Sequence, residues 1–260
     1  MAKPRSIFNA TITFGAVNLP IKLHSATQSK TVSFRQVHET DGAPLQYRRL
    51  DPETGDEVPY ADIVKGFEVA EDEYVELSKE EVKAAAGEKT KSIPIEEFVD
   101  LGAIDPEFFD KTYYVGVRDG GENGYKALVE ALRRTNRAGI GRMTFHDREY
   151  LVAVRALDDG VLGLHTMRFA DEVVDPDDLD LKEAERGPSE REVKMAGSLV
   201  DALAADFEPD KSEDEYRQRV LEMIEAKAKG KQMVKPAPEE PAEESDLLAA
   251  LEASIKGVKR

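Results

Sequence analysis

Apolar residues first recur with a period of two. Phe8, Ala10, Ile12 and Phe14 fall on one side of the segment 6–15, the pattern of a half-buried strand. Residues 17–24 read as a second strand, with Pro20 suggesting an edge or a bulge. Further on, 92–99 and Thr112–Val117 predict strands, and Pro106 to Phe109 predicts a single turn. Residues 139–168 read as a three-strand meander. Its strands are Ile140–Phe145, Tyr150–Leu157 and Val161–Met167, with turns at His146-Asp147-Arg148 and Asp158-Asp159-Gly160.

Elsewhere the period is helical. Ser78 and Glu81 form a capping box that opens a short helix to about Ala86. Asn123 is expected to cap a helix to about Asn136, with Tyr125, Leu128, Val129 and Leu132 as its core stripe. Ser189–Phe207 predicts a helix with Val193, Ala196, Leu199, Val200 and Leu203 on one face. The run 212–215 is expected to cap another, carrying Tyr216, Val220, Met223 and Ile224. Residues 235–244, rich in Pro and Glu, predict a disordered, stiff linker. After it, Ser245 is expected to cap a short amphipathic helix bearing Leu247, Leu248, Leu251 and Ile255 and ending at Gly257. A helix this short is marginal alone, so its four aliphatics suggest docking into a partner groove, or back onto its own domain.

Residues 29–66 fit neither period. Val32, Phe34, Val37, Leu45, Tyr47 and Leu50 are scattered among polar residues, with turns at Asp41-Gly42 and Thr54-Gly55-Asp56. A structureless loop of this length is unusual in a compact domain. An extended ribbon that packs on a partner, a ligand or a second copy accounts for it better.

The chain has 260 residues, 40% of them hydrophobic, enough for a sizeable core. It contains no Cys, which excludes disulfides, thiolate zinc sites and cysteine nucleophiles and fits a reducing cytoplasm. The N-terminus lacks the apolar run of a secretory signal, and no stretch approaches the ~18 apolar residues of a membrane span. Net charge is -17, which at first argues against a polyanionic partner. The charge is segregated, however: 1–50 carries +5, 51–110 carries -14, 111–170 carries +3 and 171–210 carries -10. Charges farther apart than a Debye length of about 8 Å act independently, so a basic surface can coexist with distant acid.

Chemistry is sparse. His24, His38, His146 and His165 show no metal-ligand spacing. The run 120–124 lacks the Lys-Ser/Thr tail of a phosphate loop, and no Gly-x-Ser-x-Gly exists. No cofactor or catalytic residue is implied. What remains is a basic constellation. Lys22, Lys30, Arg35, Arg48 and Arg49 come from the N-terminal strands and ribbon; Lys126, Arg133, Arg134, Arg137, Arg142 and Arg148 come from the helix and first hairpin of the meander. The guanidinium fork suits phosphate. Phosphate contact without a recognition helix predicts sequence-independent, salt-sensitive duplex binding. An acidic interaction scaffold that never touches nucleic acid, and an enzyme with a carboxylate site, are the competing readings.

Several segments resemble the bacterial Ku family, the homodimeric DNA-end-binding proteins of non-homologous end joining. They are SIFNATITFGAVNLPIKL (6–23), IVKGFE (63–68), IEEFVDL (95–101), IDPEFFDKTYY (104–114), LHTMRFADEV (164–173) and FEPDK (207–211). The likeness runs in order from about residue 5 to 230. It implies a β-rich α+β fold: an antiparallel β-barrel core with an extended β-ribbon bridge and C-terminal helices. The ribbon (about 29–66) would join its symmetry mate in a ring that loads only at a duplex end. The resemblance divides the chain into a core (1–188), a helical dimerisation region (189–230), a linker (231–244) and a docking helix (245–260). Such a protein does no chemistry of its own, and its implied partners are double-stranded DNA ends, a second copy and an ATP-dependent end-joining ligase. The family's ligase recruitment makes the 245–257 helix the candidate contact. Three departures stand out. Asp51 to Gly55 lies where some relatives carry paired cysteines, and neither the lysine-rich tail of others nor the additional N-terminal α/β domain of eukaryotic subunits is expected here.

Overall fold

The predicted alternation at the N-terminus is realised as a hairpin. Strands β1 (Phe8–Phe14) and β2 (Val17–Ser25) pair antiparallel, with Ile12 opposite Leu19 and Ala10 opposite Ile21. The computed structural model describes residues 5–71, 73–85, 91–146, 148–179 and 187–230. Contacts divide the chain into two units, one of residues 1–29 and 36–178, the other of 30–35 and 179–260.

The first unit is built on a closed seven-stranded barrel. Besides β1 and β2 it contains β5 (Ser92–Asp100), β6 (Phe109–Val117), β7 (Arg137–Phe145), β8 (Arg148–Ala156) and β9 (Leu162–Met167), in the order β1-β2-β6-β9-β8-β7-β5. All pairings but one are antiparallel. The barrel closes through a parallel pair, with Ile12 beside Ile93. This qualifies the expectation of a purely antiparallel barrel, because parallel partners need a long connection between them. Here the connection is residues 26–91, which leave from β2 and return to β5 on the two sides of β1.

Alternation fills the interior with Ile12, Leu19, Ile21, Leu23, Ile93, Met143, Leu162 and Leu164, all essentially inaccessible. In β8 the consecutive residues Val152, Ala153 and Val154 are all buried. A strand buries consecutive side chains only when both its faces are covered. The cover is helix α2 (Glu122–Thr135), which packs on β7 and β8 and buries the predicted Leu128, Val129 and Leu132. The start of α2 differs from expectation. Gly121 holds the cap position without a side-chain bond, and Asn123 lies inside the first turn. Asn136 takes the left-handed conformation at the C-cap (φ 49°), which Asn tolerates well.

The long connection forms no regular strand before residue 65. It holds two isolated bridges, Val37 with Pro44 and Leu50 with Glu57, around the two predicted turns. Gly42 and Gly55 supply the positive φ (70° and 76°) those turns need. Regular pairing begins at the end of the expected 29–66 ribbon and runs beyond it, in a hairpin of β3 (Lys65–Ala70) and β4 (Glu73–Leu77). Every residue of these two strands is exposed, including Phe67 at 67% and Tyr74 at 59%. Tyr74 lies over Gly66, where a Cβ would come within 3.3 Å of its ring. An aromatic covering a strand glycine compensates for the missing side chain. Helix α1 (Lys79–Ala85) follows, opened by the expected box: Glu81 Oε2 accepts from the Ser78 backbone N–H at 2.8 Å, and Ser78 Oγ accepts from that of Glu81 at 3.2 Å.

The second unit carries α3 (Glu190–Leu203) and α4 (Glu215–Ala228). Ser189 and Glu192 close a capping box on α3. The helix ends at Leu203, short of the expected Phe207, with Leu203 61% exposed and Phe207 88%. Asp214 caps α4 by accepting from the Arg217 N–H at 2.8 Å. Tyr216, Leu221, Met223 and Ile224 are exposed on it.

Candidate nucleic-acid interface

The eleven basic residues singled out from the sequence lie on several elements. Lys22 projects from β2, its stem across Gly116. Lys30 and Arg35 are exposed in the short segment of the second unit that precedes the two bridged turns. Arg48 and Arg49 immediately precede the second turn, whose backbone is tied by the Val58 N–H donating to Arg49 O at 2.9 Å. Arg48 sits 3.5 Å from Glu57, and the Arg49 guanidinium lies 5.5 Å from the centre of the Tyr60 ring. That contact holds the cation by the ring's negative face.

Lys126, Arg133 and Arg134 lie exposed on α2, off its buried stripe as the spacing predicts. Arg133 and Arg134 share one partner. The Glu130 carboxylate accepts from Arg134 Nε at 2.6 Å and from Arg133 Nη2 at 2.9 Å. These two bonds hold Glu130 below the ordinary carboxylate pKa. Arg137 opens β7 and donates to Phe98 O at 3.4 Å. Arg142 is set between Glu149 (2.7 Å) and Glu96 (3.5 Å), and the Glu149 bond raises its pKa further. Arg148 pairs with Glu172 at 3.3 Å and lies 5.5 Å from the Tyr150 ring centre.

Five of these eleven cations, Arg48, Arg133, Arg134, Arg142 and Arg148, therefore already touch a carboxylate. Side chains in the pairs are between 40% and 76% exposed. Ion pairs of that kind contribute about 0–1 kcal/mol, so exchanging the carboxylate for a phosphate costs little. The structure brings some of the predicted residues together and keeps others apart. Arg133 and Arg137 line one hollow, which also takes in Arg155 of β8. Arg155 was not singled out from the sequence, although a lone arginine ending the apolar run Leu151–Val154 marks it. Arg142 and Arg148 lie on the first hairpin of the meander, away from that hollow's lining. Leu247, Leu248, Leu251 and Ile255, with the linker before them, lie outside the described residues.

Among the described residues no group of three His, Asp or Glu side chains converges as metal ligands, and no helix is long and apolar enough to cross a membrane. His165 is buried in the barrel wall, with Nδ1 3.0 Å from Thr112 Oγ1 and Nε2 accepting from Arg155.

Comparison with known proteins settles the family. Residues 13–195 match the Ku70/Ku80 beta-barrel domain. The chain is 41% identical over 257 residues to the non-homologous end joining protein Ku of Anaeromyxobacter sp. (strain K), covering 98% of this chain and 86% of that one. It is 35% identical over 255 residues to the protein of that name from Archaeoglobus fulgidus, covering 98% and 100%. With the one from Mycobacterium tuberculosis it shares 35% identity over 262 residues, covering 97% and 95%. A closed barrel interrupted between β2 and β5 by a long exposed arm, together with likeness over nearly the whole length, makes this chain a member of the Ku family of non-homologous end joining proteins.

Proposed function

We propose that this protein is a non-catalytic homodimeric clamp that binds double-stranded DNA ends without sequence specificity and recruits an end-joining ligase. The observation that carries the reading is the hairpin β3–β4 with the bridged turns before it. It is an arm whose Phe67, Val69, Tyr74, Val75 and Leu77 are exposed in the single chain. Exposed apolar surface of this extent marks an interaction site, and a second copy supplies its match by symmetry. The exposed apolar faces of α3 and α4 support further contact between copies. Arg48 and Arg49 stand on the same arm, so two arms would bring cations to the sugar-phosphate rails from both sides. The arm itself runs into the acidic block 51–110, and Glu57 already sits 3.5 Å from Arg48; that exposed ion pair is weak enough for a phosphate to replace the carboxylate, while the 171–210 block is subject to screening.

A closed ring threads only onto a free end. The deciding experiment is competition between linear duplex and covalently closed circles of equal mass for a labelled linear fragment. Linear DNA competes in proportion to its ends, and the circle competes weakly. Equal competition removes the ring. Ligase recruitment is assigned to residues 245–260. A chain ending at residue 244 retains end binding but no longer stimulates the ligase; unchanged stimulation places the contact elsewhere.

A further inference from the structure

The hollow between the end of α2, the start of β7 and the end of β8 has a volume of about 360 Å³ and is lined by Arg133, Asn136, Arg137, Arg155 and Asp158, with buried Leu132 beneath. Three arginines and one aspartate line it, and with Glu130 paired to Arg133 the neighbourhood keeps one net positive charge in a protein whose net charge is -17. The three come from different elements, so their convergence is a property of the fold and not of one basic run. Arg155 is half-buried, and its Nε is held by the hydrogen bond to His165 Nε2 at 3.1 Å. A guanidinium has five N–H donors, and that bond uses one. Arg137 spends one long bond, 3.4 Å, on Phe98 O. Arg133 leans on Glu130, which lies outside the hollow's lining. Asn136 adds an amide from the left-handed C-cap.

We propose that this hollow is an oxyanion site for a phosphate monoester or a short polyphosphate. Planar forks approaching from several directions fit a tetrahedral group with three terminal oxygens. A phosphodiester inside a duplex presents two such oxygens and one charge, and the chain continues on both sides. That favours an open groove over a concave hollow. A terminal phosphate carries close to two charges at neutral pH and enters end-on. The volume lies near the lower limit of small-ligand pockets, about 300 Å³, which excludes bulky ligands. The same chemistry has two sources: the phosphate at a DNA terminus and a free small polyphosphate. The inference stands apart from the clamp reading, because the site can be filled without DNA.

Calorimetric titration of the full-length protein with inorganic pyrophosphate, in the absence of DNA, tests it. Binding is expected to saturate at one site per chain. Arg137→Gln and Arg133→Gln, both at exposed positions, are each expected to weaken it about tenfold or more, the scale of a lost charge-assisted bond. Arg118→Gln, an exposed position outside the hollow's lining, leaves it unchanged. Arg155→Gln is read only if its circular dichroism and thermal unfolding match the parent; the two exposed variants decide the question without it. Non-saturable heat, or binding equal in the parent, Arg133→Gln and Arg137→Gln, overturns the proposal. The source is then assigned with blunt duplexes differing only in a 5′-phosphate or 5′-hydroxyl. A preference for the phosphorylated end that disappears in Arg137→Gln and in excess pyrophosphate assigns the terminus. Saturable pyrophosphate binding without that preference assigns the free polyphosphate.

Discussion

Arg155 donates from Nε to Nε2 of His165 across 3.1 Å, between neighbouring strands β8 and β9. A guanidinium only donates, so Nε2 is the acceptor and the ring proton sits on Nδ1, toward Thr112 Oγ1 at 3.0 Å. Burial and, next, the Arg155 charge push the His165 pKa from 6.5 down to about 4. The folded state therefore keeps the ring neutral where the unfolded chain has begun to protonate it.

The sign follows from linkage. Between about pH 6.5 and about pH 4 the unfolded state binds a proton that the folded state refuses, so stability falls as the pH drops. The slope approaches about 1.4 kcal/mol per pH unit. Above the unfolded value the group contributes no pH dependence. Urea unfolding at pH 7.5, 6 and 5 checks it: His165→Gln has a shallower decline than the parent across this window. Parallel declines would contradict the assignment.

Tyr125 ties α2 to the barrel at two points. Its hydroxyl donates to Val115 O at 2.7 Å on β6 and accepts from the Leu162 N–H at 2.8 Å on β9. Tyr125→Phe leaves a buried carbonyl and a buried N–H without this partner, which costs about 1–3 kcal/mol. Chemical denaturation is expected to show a lower midpoint with an unchanged slope. Loss below about 0.5 kcal/mol would mean that water replaces the hydroxyl.

Gly141 and Gly124 make an opposed pair. At Gly141, on β7 beside the irregularity in β5, a Cβ would stand 2.1 Å from Pro94 O, a backbone atom. Gly141→Ala must displace the β5–β7 pairing and is expected to destabilise by about 3 kcal/mol. At Gly124, in α2, the nearest atom is Leu19 Cδ1 at 3.6 Å, an ordinary contact. Gly124→Ala is expected to stabilise by about 0.5–1 kcal/mol through helix propensity. Thermal unfolding of both variants reads the two opposite shifts.

Arm cations and meander cations are expected to separate in DNA binding. Arg48→Glu with Arg49→Glu removes two phosphate contacts per chain under the clamp reading. Each contact contributes about 0.9 to the slope of log affinity against log salt, so the slope flattens by about 2 per chain. Arg142, already bracketed by Glu149 and Glu96, is expected to matter little when changed to Gln. Anisotropy titrations of a short duplex from low to moderate salt give both slopes. Equal flattening by the two variants would count against the arm as the DNA-facing element.

The sequence by itself determined what is local. Period-two alternation placed β1, β2 and the meander, helical spacing placed the buried face of α2, and Ser78 with Glu81 marked the start of α1. Each follows from interactions among residues a few positions apart. The resemblance, spread over motifs from 6–23 to 207–211, carried the family. The start of α2 was misplaced because Asn is a good cap wherever it stands, and only the backbone path made Gly121 the cap. Hairpin β3–β4 was largely missed because its apolar alternation is short and interleaved with glutamates, as suits strands with no face in their own core. Tertiary structure alone decided the parallel closure of β1 on β5, since those hydrogen bonds join segments some 80 residues apart and leave no local periodic trace. It also decided that Arg133, Arg137 and Arg155 meet around one hollow. Surface charges carry almost no pattern of their own, and where they converge is set by how the core beneath them closes.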